Sequence, residues 1–318
     1  MSRIFTRAKV ATVASMAAAL VLAGCGASAD DTKTNTDGGG EGKDTLILAS
    51  VPSEEAGNLQ AQFDSLITVI EKETGKKVEF QEATDYAAVI EGQRAGKIDL
   101  ASYGPFSYKI AKDGGINIEP IGAMVDGEDE EPGYTSMLWV KKDSDIQKIE
   151  DLKGKTVCFV DKASTSGYLY PSAGLLEAGL DPAKDVKEVM AGGHDASLLA
   201  VNSGQCDAGF AFDAMIDKVA ESGQINKDEF RMVWESEQIM GSPLAMNNDT
   251  IDEETQEVLR SVLIEKGNVD AMTEAGVCES PESCKLPEDS WGFKKVTDAD
   301  YDGVRKVCEL TKAEACNG

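Results

Sequence analysis

The chain is 318 residues long and carries 57 acidic against 31 basic side chains, a net charge of −26 at neutral pH. A field of that sign repels nucleic acid and anionic lipid, which excludes both as partners of the folded surface. Any anion site therefore has to be built from local donors, since the protein as a whole pushes anions away.

The N-terminus reads as an export signal. Arg3, Arg7 and Lys9 precede an apolar run over 11–22, shorter than the roughly 18 to 20 residues a bilayer span requires. The run ends on Leu22-Ala23-Gly24-Cys25, which resembles the lipobox of bacterial lipoproteins. Residues 1–24 are therefore expected to be a lipoprotein signal peptide, with Cys25 lipidated and anchoring the mature chain to the membrane. Loss of the three basic side chains takes the net charge from −26 to −29. Residues 25–44, rich in Ser, Thr, Asp and Gly, bury too little apolar surface to offset chain entropy and are expected to form a flexible tether.

From there strand and helix alternate. A strand is predicted over 45–51, an amphipathic helix over 54–74 stopped by Gly75, and a strand over 77–82. A helix over 85–95 is stopped by Gly96, and a short buried strand over 98–102 leads into Tyr103-Gly104-Pro105. After an acidic loop at 126–133 come a strand over 134–141, a helical turn over 149–153, a strand over 155–160 and a helix over 168–178. A strand over 186–190, the turn Ala191-Gly192-Gly193, a helix over 195–203 and a strand over 207–212 repeat the same grammar. A strand over 230–234 and a return crossing over 242–246 precede a helical tail from Glu253. This alternation predicts an α/β fold with mostly parallel sheets. The length suits two lobes, expected as 45–138 plus 245–318 and 139–244, joined by crossings near 134–141 and 241–247.

Two predicted strand-to-helix junctions carry candidate chemistry. Ser164-Thr165-Ser166-Gly167 places three consecutive hydroxyls at a helix start, where unpaired backbone N–H groups and the helix dipole reinforce them. The same residues also suit plain helix capping. Ala191-Gly192-Gly193-His194 puts the one histidine of the chain where backbone can approach a ligand closely, as a donor or as a cap.

Six segments in order and spacing resemble the phosphate/phosphite/phosphonate-binding proteins of ABC transporters: Asp85-Tyr86-Ala87, Tyr103-Gly104-Pro105, Pro132-Gly133-Tyr134, Ser164-Thr165-Ser166-Gly167-Tyr168, Gly193-His194 and Gly241-Ser242-Pro243. The resemblance covers residues 46–247, and the Cys-rich C-terminal part departs from it. It implies a type II periplasmic-binding-protein fold with a phosphorus oxyanion in the cleft between two lobes. Ser164, Thr165 and Ser166 would bind the phosphoryl oxygens, His194 would donate a further bond, and Tyr86 and Tyr134 would reach in from the other lobe. Tyr103 suits a ligand contact and a core position equally. An ABC permease is the implied partner, and the chain is expected to act as an extracytoplasmic monomer without a cofactor. Family members that take aminoalkyl phosphonates hold the ammonium with two acidic side chains, and spacing puts those positions on Ala214 and Ser242. Neither is acidic, which leaves Asp213 as the neighbouring candidate. An ammonium buried without a carboxylate is costly, so 2-aminoethylphosphonate is expected to bind worse than phosphite, phosphate or methylphosphonate.

Beyond Cys25 six cysteines remain, and an even number in an exported chain predicts disulfides. Cys278 with Cys284 and Cys308 with Cys316 close short loops, leaving Cys158 and Cys206 on two short apolar stretches. No metal is expected, because zinc wants Cys-x-x-Cys or clustered His. The competing reading is a serine hydrolase using Ser164 or Ser166 with His194, yet the Gly-x-Ser-x-Gly elbow is absent. A two-metal phosphatase lacks its His and Asp cluster. A receptor for another small anion, such as a sulfonate, remains an alternative within the binding class.

Overall fold

Two mixed sheets organise the chain, each covered by helices on both faces. The computed structural model describes residues 43–53 and 56–317; the expected signal peptide, Cys25 and nearly all of the tether lie outside the described residues. The first sheet runs Gly292–Lys294, Ile118–Val125, Pro243–Asn247, Leu100–Ser102, Thr45–Ser50, Lys77–Gln81. The second runs Phe230–Glu235, Ser136–Lys141, Ala208–Phe212, Thr156–Phe159, Lys187–Met190. A two-stranded ribbon, Gly133–Tyr134 with Ile239–Met240, sits where the chain passes from one sheet to the other and back.

The expectation of mostly parallel sheets needs correction. Thr45–Ser50 pairs in parallel with both Lys77–Gln81 and Leu100–Ser102, but Pro243–Asn247 lies antiparallel between Leu100–Ser102 and Ile118–Val125. Ser136–Lys141 likewise pairs antiparallel with both its neighbours in the second sheet. The reason is topological: a strand that carries the chain across between lobes enters its sheet against the direction set by the strand–helix–strand units.

Other departures have local causes. The helix over 54–74 is two, Ala56–Ala61 and Asp64–Thr74, separated at Phe63, whose fully buried ring packs on Phe80 with centroids 5.2 Å apart. The helix Pro105–Asp113 went unpredicted because it begins directly on Pro105 after Gly104, a Gly-Pro pair that reads as a turn. The helix after the Ser-Thr-Ser run starts early, with a π turn over Thr165–Leu169 in which Leu169 N–H donates to Ser164 O at 3.0 Å before Tyr170–Glu177 continues as α-helix.

Apolar burial explains why the sheets hold. Leu46, Phe63, Leu66 and Leu259 pack on one face of the first sheet, and Tyr103, Phe106, Tyr108 and Tyr301 on the other. Disulfides join Cys158 to Cys206, Cys278 to Cys284 and Cys308 to Cys316, with Cα separations of 5.8, 5.2 and 5.7 Å. The first is possible because Thr156–Phe159 and Ala208–Phe212 are adjacent strands, which brings Cys158 opposite Gly209.

Candidate functional site

Ligand sites in α/β sheets form beyond the carboxyl ends of the strands, and here those ends from both sheets face one cleft. Ser50 ends Thr45–Ser50 and Val51 follows it, and Ser102 ends Leu100–Ser102 with Tyr103 and Gly104 behind it. From the second sheet come Ser164 to Ser166, His194 and Phe212. Together with Tyr86, Tyr134, Ser242 and Glu288 they line a cavity of about 30 Å³. No Lys or Arg is among the described lining residues.

The Ser-Thr-Ser run is positioned by its turn. Ser164 caps the segment, its Oγ accepting Gly167 N–H at 3.1 Å, and any side chain at Gly167 would collide with Val160. The N–H groups of Thr165 and Ser166 lie at the helix start, where no carbonyl of the helix precedes them. The residues that cap the segment are thus the same ones whose hydroxyls line the cavity.

His194 is buried, 3% exposed, at the start of the helix His194–Ser203. Its N–H donates to Ser53 O at 2.9 Å, and its Nδ1 accepts Phe212 N–H at 3.2 Å. Accepting at Nδ1 puts the ring proton on Nε2, which lies 3.5 Å from Ser164 Oγ. Burial pushes the imidazole down to about 3, so the ring is neutral and donates into the cavity. A protonated Nε2 is unsuited to take a proton from Ser164, and Nδ1 meets a backbone donor instead of a carboxylate; the triad geometry of a serine hydrolase is therefore missing.

The tyrosines answer from the facing side. Tyr86 and Tyr134 line the same cavity as Ser164, Thr165 and Ser166, and burial holds both phenols well above their usual range. Tyr103, 1% exposed, has a hydroxyl with no hydrogen-bond partner among the described residues, and it borders the cavity. Both lobes meet directly here: Phe106 N–H donates to Thr165 Oγ1 at 2.9 Å, and a Cβ on Gly104 would stand 3.0 Å from that same oxygen.

Asp213 does not join this group. Its Oδ2 accepts Thr135 N–H at 2.9 Å and Thr135 Oγ1 at 3.3 Å, and it borders a second cavity of about 30 Å³. Ala214 and Ser242, the two positions singled out for an aminoalkyl arm, line that second cavity, as do Asp126 and Glu288. Glu288 borders both cavities and was missed in the sequence, where nothing in Pro287-Glu288-Asp289 distinguishes it from any acidic turn.

A family model described as ABC transporter, phosphonate, periplasmic substrate-binding protein matches residues 48–301. The chain belongs to this family. This binding protein is 43% identical over 320 residues to the phosphate-import protein PhnD of Mycolicibacterium smegmatis, with 98% of each chain covered. It is 33% identical over 211 residues to the phosphonates-binding periplasmic protein of Escherichia coli, covering 64% of this chain and 61% of that one. A binding-protein component of an ABC phosphonate transporter from Pseudomonas aeruginosa superposes with a TM-score of 0.74 at 25% identity, covering 84% of this chain and 86% of that one. PhnD1 of Prochlorococcus marinus, solved in complex with methylphosphonate, superposes at 0.72 with 20% identity over 85% of this chain and 99% of that one, a likeness of fold. The two-lobe type II fold and a place outside the cytoplasm as the substrate-binding component of an ABC importer follow from this membership.

Proposed function

We propose that the protein captures a small phosphorus oxyanion, phosphate, phosphite or a short phosphonate, and delivers it to an ABC permease while anchored through lipidated Cys25. The observation that carries this reading is the small cavity of hydroxyls, first-turn N–H groups and a neutral His194 Nε2–H. Neutral donors aimed at one point stabilise an anion without a cation, as at other helix N-termini. Ser164, Thr165, Ser166 and His194 hold the phosphoryl oxygens from one lobe, with Tyr86, Tyr134 and Tyr103 opposite. The protein acts as a monomeric receptor and turns nothing over. Phosphate is favoured by the 43% identical relative, whose name is that of a phosphate importer.

A thermal-shift panel of phosphate, phosphite, methylphosphonate, 2-aminoethylphosphonate and alkanesulfonates, run beside a turnover assay, tests the reading. A ligand at 100 times its Kd adds about 2.7 kcal/mol of stability. Stabilisation by a phosphorus oxyanion without product is expected. Product formation, or stabilisation by sulfonates alone, would overturn it.

A further inference from the structure

A groove of about 560 Å³ shares no lining residue with either cleft cavity. One wall belongs to the second sheet, through the helix Tyr170–Glu177 and the end of the strand Phe230–Glu235. The other is the helix Asp302–Thr311, which follows Gly292–Lys294, the edge strand of the first sheet. A break in strand register puts Trp234 into this groove. Met232 stands opposite Trp139 and Trp234 opposite Leu138, so Val233 is one residue too many, a bulge on the edge strand of the second sheet. Trp234 thereby packs with Leu138 and Leu175, on the face that carries Tyr170–Glu177. Gly174 admits the indole, since a Cβ there would stand 2.4 Å from its Cζ2. Tyr170, 5% exposed, borders the groove as well, and its hydroxyl makes no hydrogen bond among the described residues.

The charge around these rings is mostly of one sign. Glu177, Glu235 and Glu237 face Lys306 as the one base among the described lining residues. Glu235 accepts Thr135 Oγ1 at 3.0 Å, whereas Glu177 and Glu237 have no ion-pair partner among the described residues. Burial raises the Tyr170 phenol to about 12, and the Glu237 carboxylate adds to that, so its field reaches the ring. Leu310, 50% exposed, supplies an apolar edge.

We propose that this groove seats an arginine of a partner protein, with an apolar neighbour of that arginine resting on Leu310. Aromatic faces attract a cation, and a guanidinium can stack on an indole while its N–H groups reach carboxylates at the side, which a compact ammonium does less well. Arginine offers donors only, which suits carboxylates and the phenol oxygen of Tyr170. Three carboxylates repel anions, so the groove is no second oxyanion site. Its volume lies in the range that holds drug-sized ligands, more than one small cation fills. A side chain carried on a peptide covers the rings and Leu310 together. Because the two walls belong to different sheets, a partner held here touches both and so feels their spacing.

The test is calorimetry on the full chain, with and without inorganic phosphate, using acetyl-Arg-Leu-amide as probe, its citrulline analogue as the uncharged isostere and methylguanidinium as the small cation. The arginine probe is expected to bind with a Kd of about 1 mM or tighter, and the citrulline analogue about tenfold more weakly. Glu177→Gln with Glu237→Gln should weaken the probe about fivefold or more, and Trp234→Leu about threefold or more. Glu253→Gln with Glu254→Gln removes the same charge at the start of the helix Glu253–Lys266, outside the groove, and should change affinity by less than about twofold. Thermal unfolding checks each variant, and the carboxylate pair decides the matter where Trp234→Leu does not fold. No binding up to about 50 mM, equal binding of the citrulline analogue, or equal weakening by the two carboxylate pairs overturns the proposal. So does methylguanidinium binding as tightly as the peptide, since the occupant would then be a small organic cation.

Discussion

Phe212 donates its backbone N–H to Nδ1 of His194 at 3.2 Å, and this single bond decides which nitrogen of the ring faces Ser164. The imidazole is thereby a donor locked in one tautomer, and its burial makes protonation costly. Folded His194 titrates near about 3, against about 6.5 for an exposed histidine in the unfolded chain. Between those values the unfolded state binds the extra proton, so stability rises with pH across the window. The contribution is complete above about pH 6.5 and is lost as the solution is acidified, by an amount of order a few kcal/mol. Urea unfolding of ligand-free wild type and His194→Gln at pH values from about 7 to about 4 should diverge, wild type losing more. Parallel curves would mean that the ring is not held neutral.

Thr165 works for both lobes, since its Oγ1 accepts Phe106 N–H at 2.9 Å while bordering the cavity. Thr165→Val keeps the shape and removes the hydroxyl. Ligand affinity should fall by about 1 to 3 kcal/mol, at least several-fold, because ligand oxygens and the Phe106 N–H are both left without a partner. Titration calorimetry giving an unchanged affinity for the best ligand would exclude Thr165 from the site.

Tyr103 has a different signature. Its hydroxyl is buried without a hydrogen-bond partner among the described residues, a cost the ligand-free protein bears and a bound oxyanion would relieve. In Tyr103→Phe the ligand-free protein should therefore unfold at an equal or higher temperature, while affinity drops by about 1 kcal/mol or more. Loss of stability with affinity intact would make Tyr103 a core residue only.

The three disulfides differ in what they constrain. Cys158–Cys206 spans 48 residues, against 6 and 8 for the C-terminal pair. Loop-closure entropy then assigns it about 4 kcal/mol and each of the others about 2 kcal/mol. Replacing Cys158 and Cys206 together by Ala should lower the unfolding midpoint more than either of the other double replacements. Peptide mapping without reductant checks the pairing, and a Cys158–Cys278 peptide would refute it.

By itself the sequence determined the repeating strand–helix grammar, the two junctions that carry Ser164 to Ser166 and His194, and the division of six cysteines into near neighbours and one distant pair. These are local: apolar period, glycine stops and polar runs act over a few residues and need no partner to be visible. Pro105–Asp113 escaped because the Gly104-Pro105 pair at its start reads as a turn. What only the tertiary structure decided is pairing between segments far apart in the chain. The direction of Pro243–Asn247, the commitment of Asp213 to Thr135, the tautomer of His194 and the arrival of Glu288 beside Ser242 each depend on two segments meeting. Hydrogen bonds and Coulomb forces act on distance in space, and separations of 46 and 78 residues in the chain leave no mark on local composition.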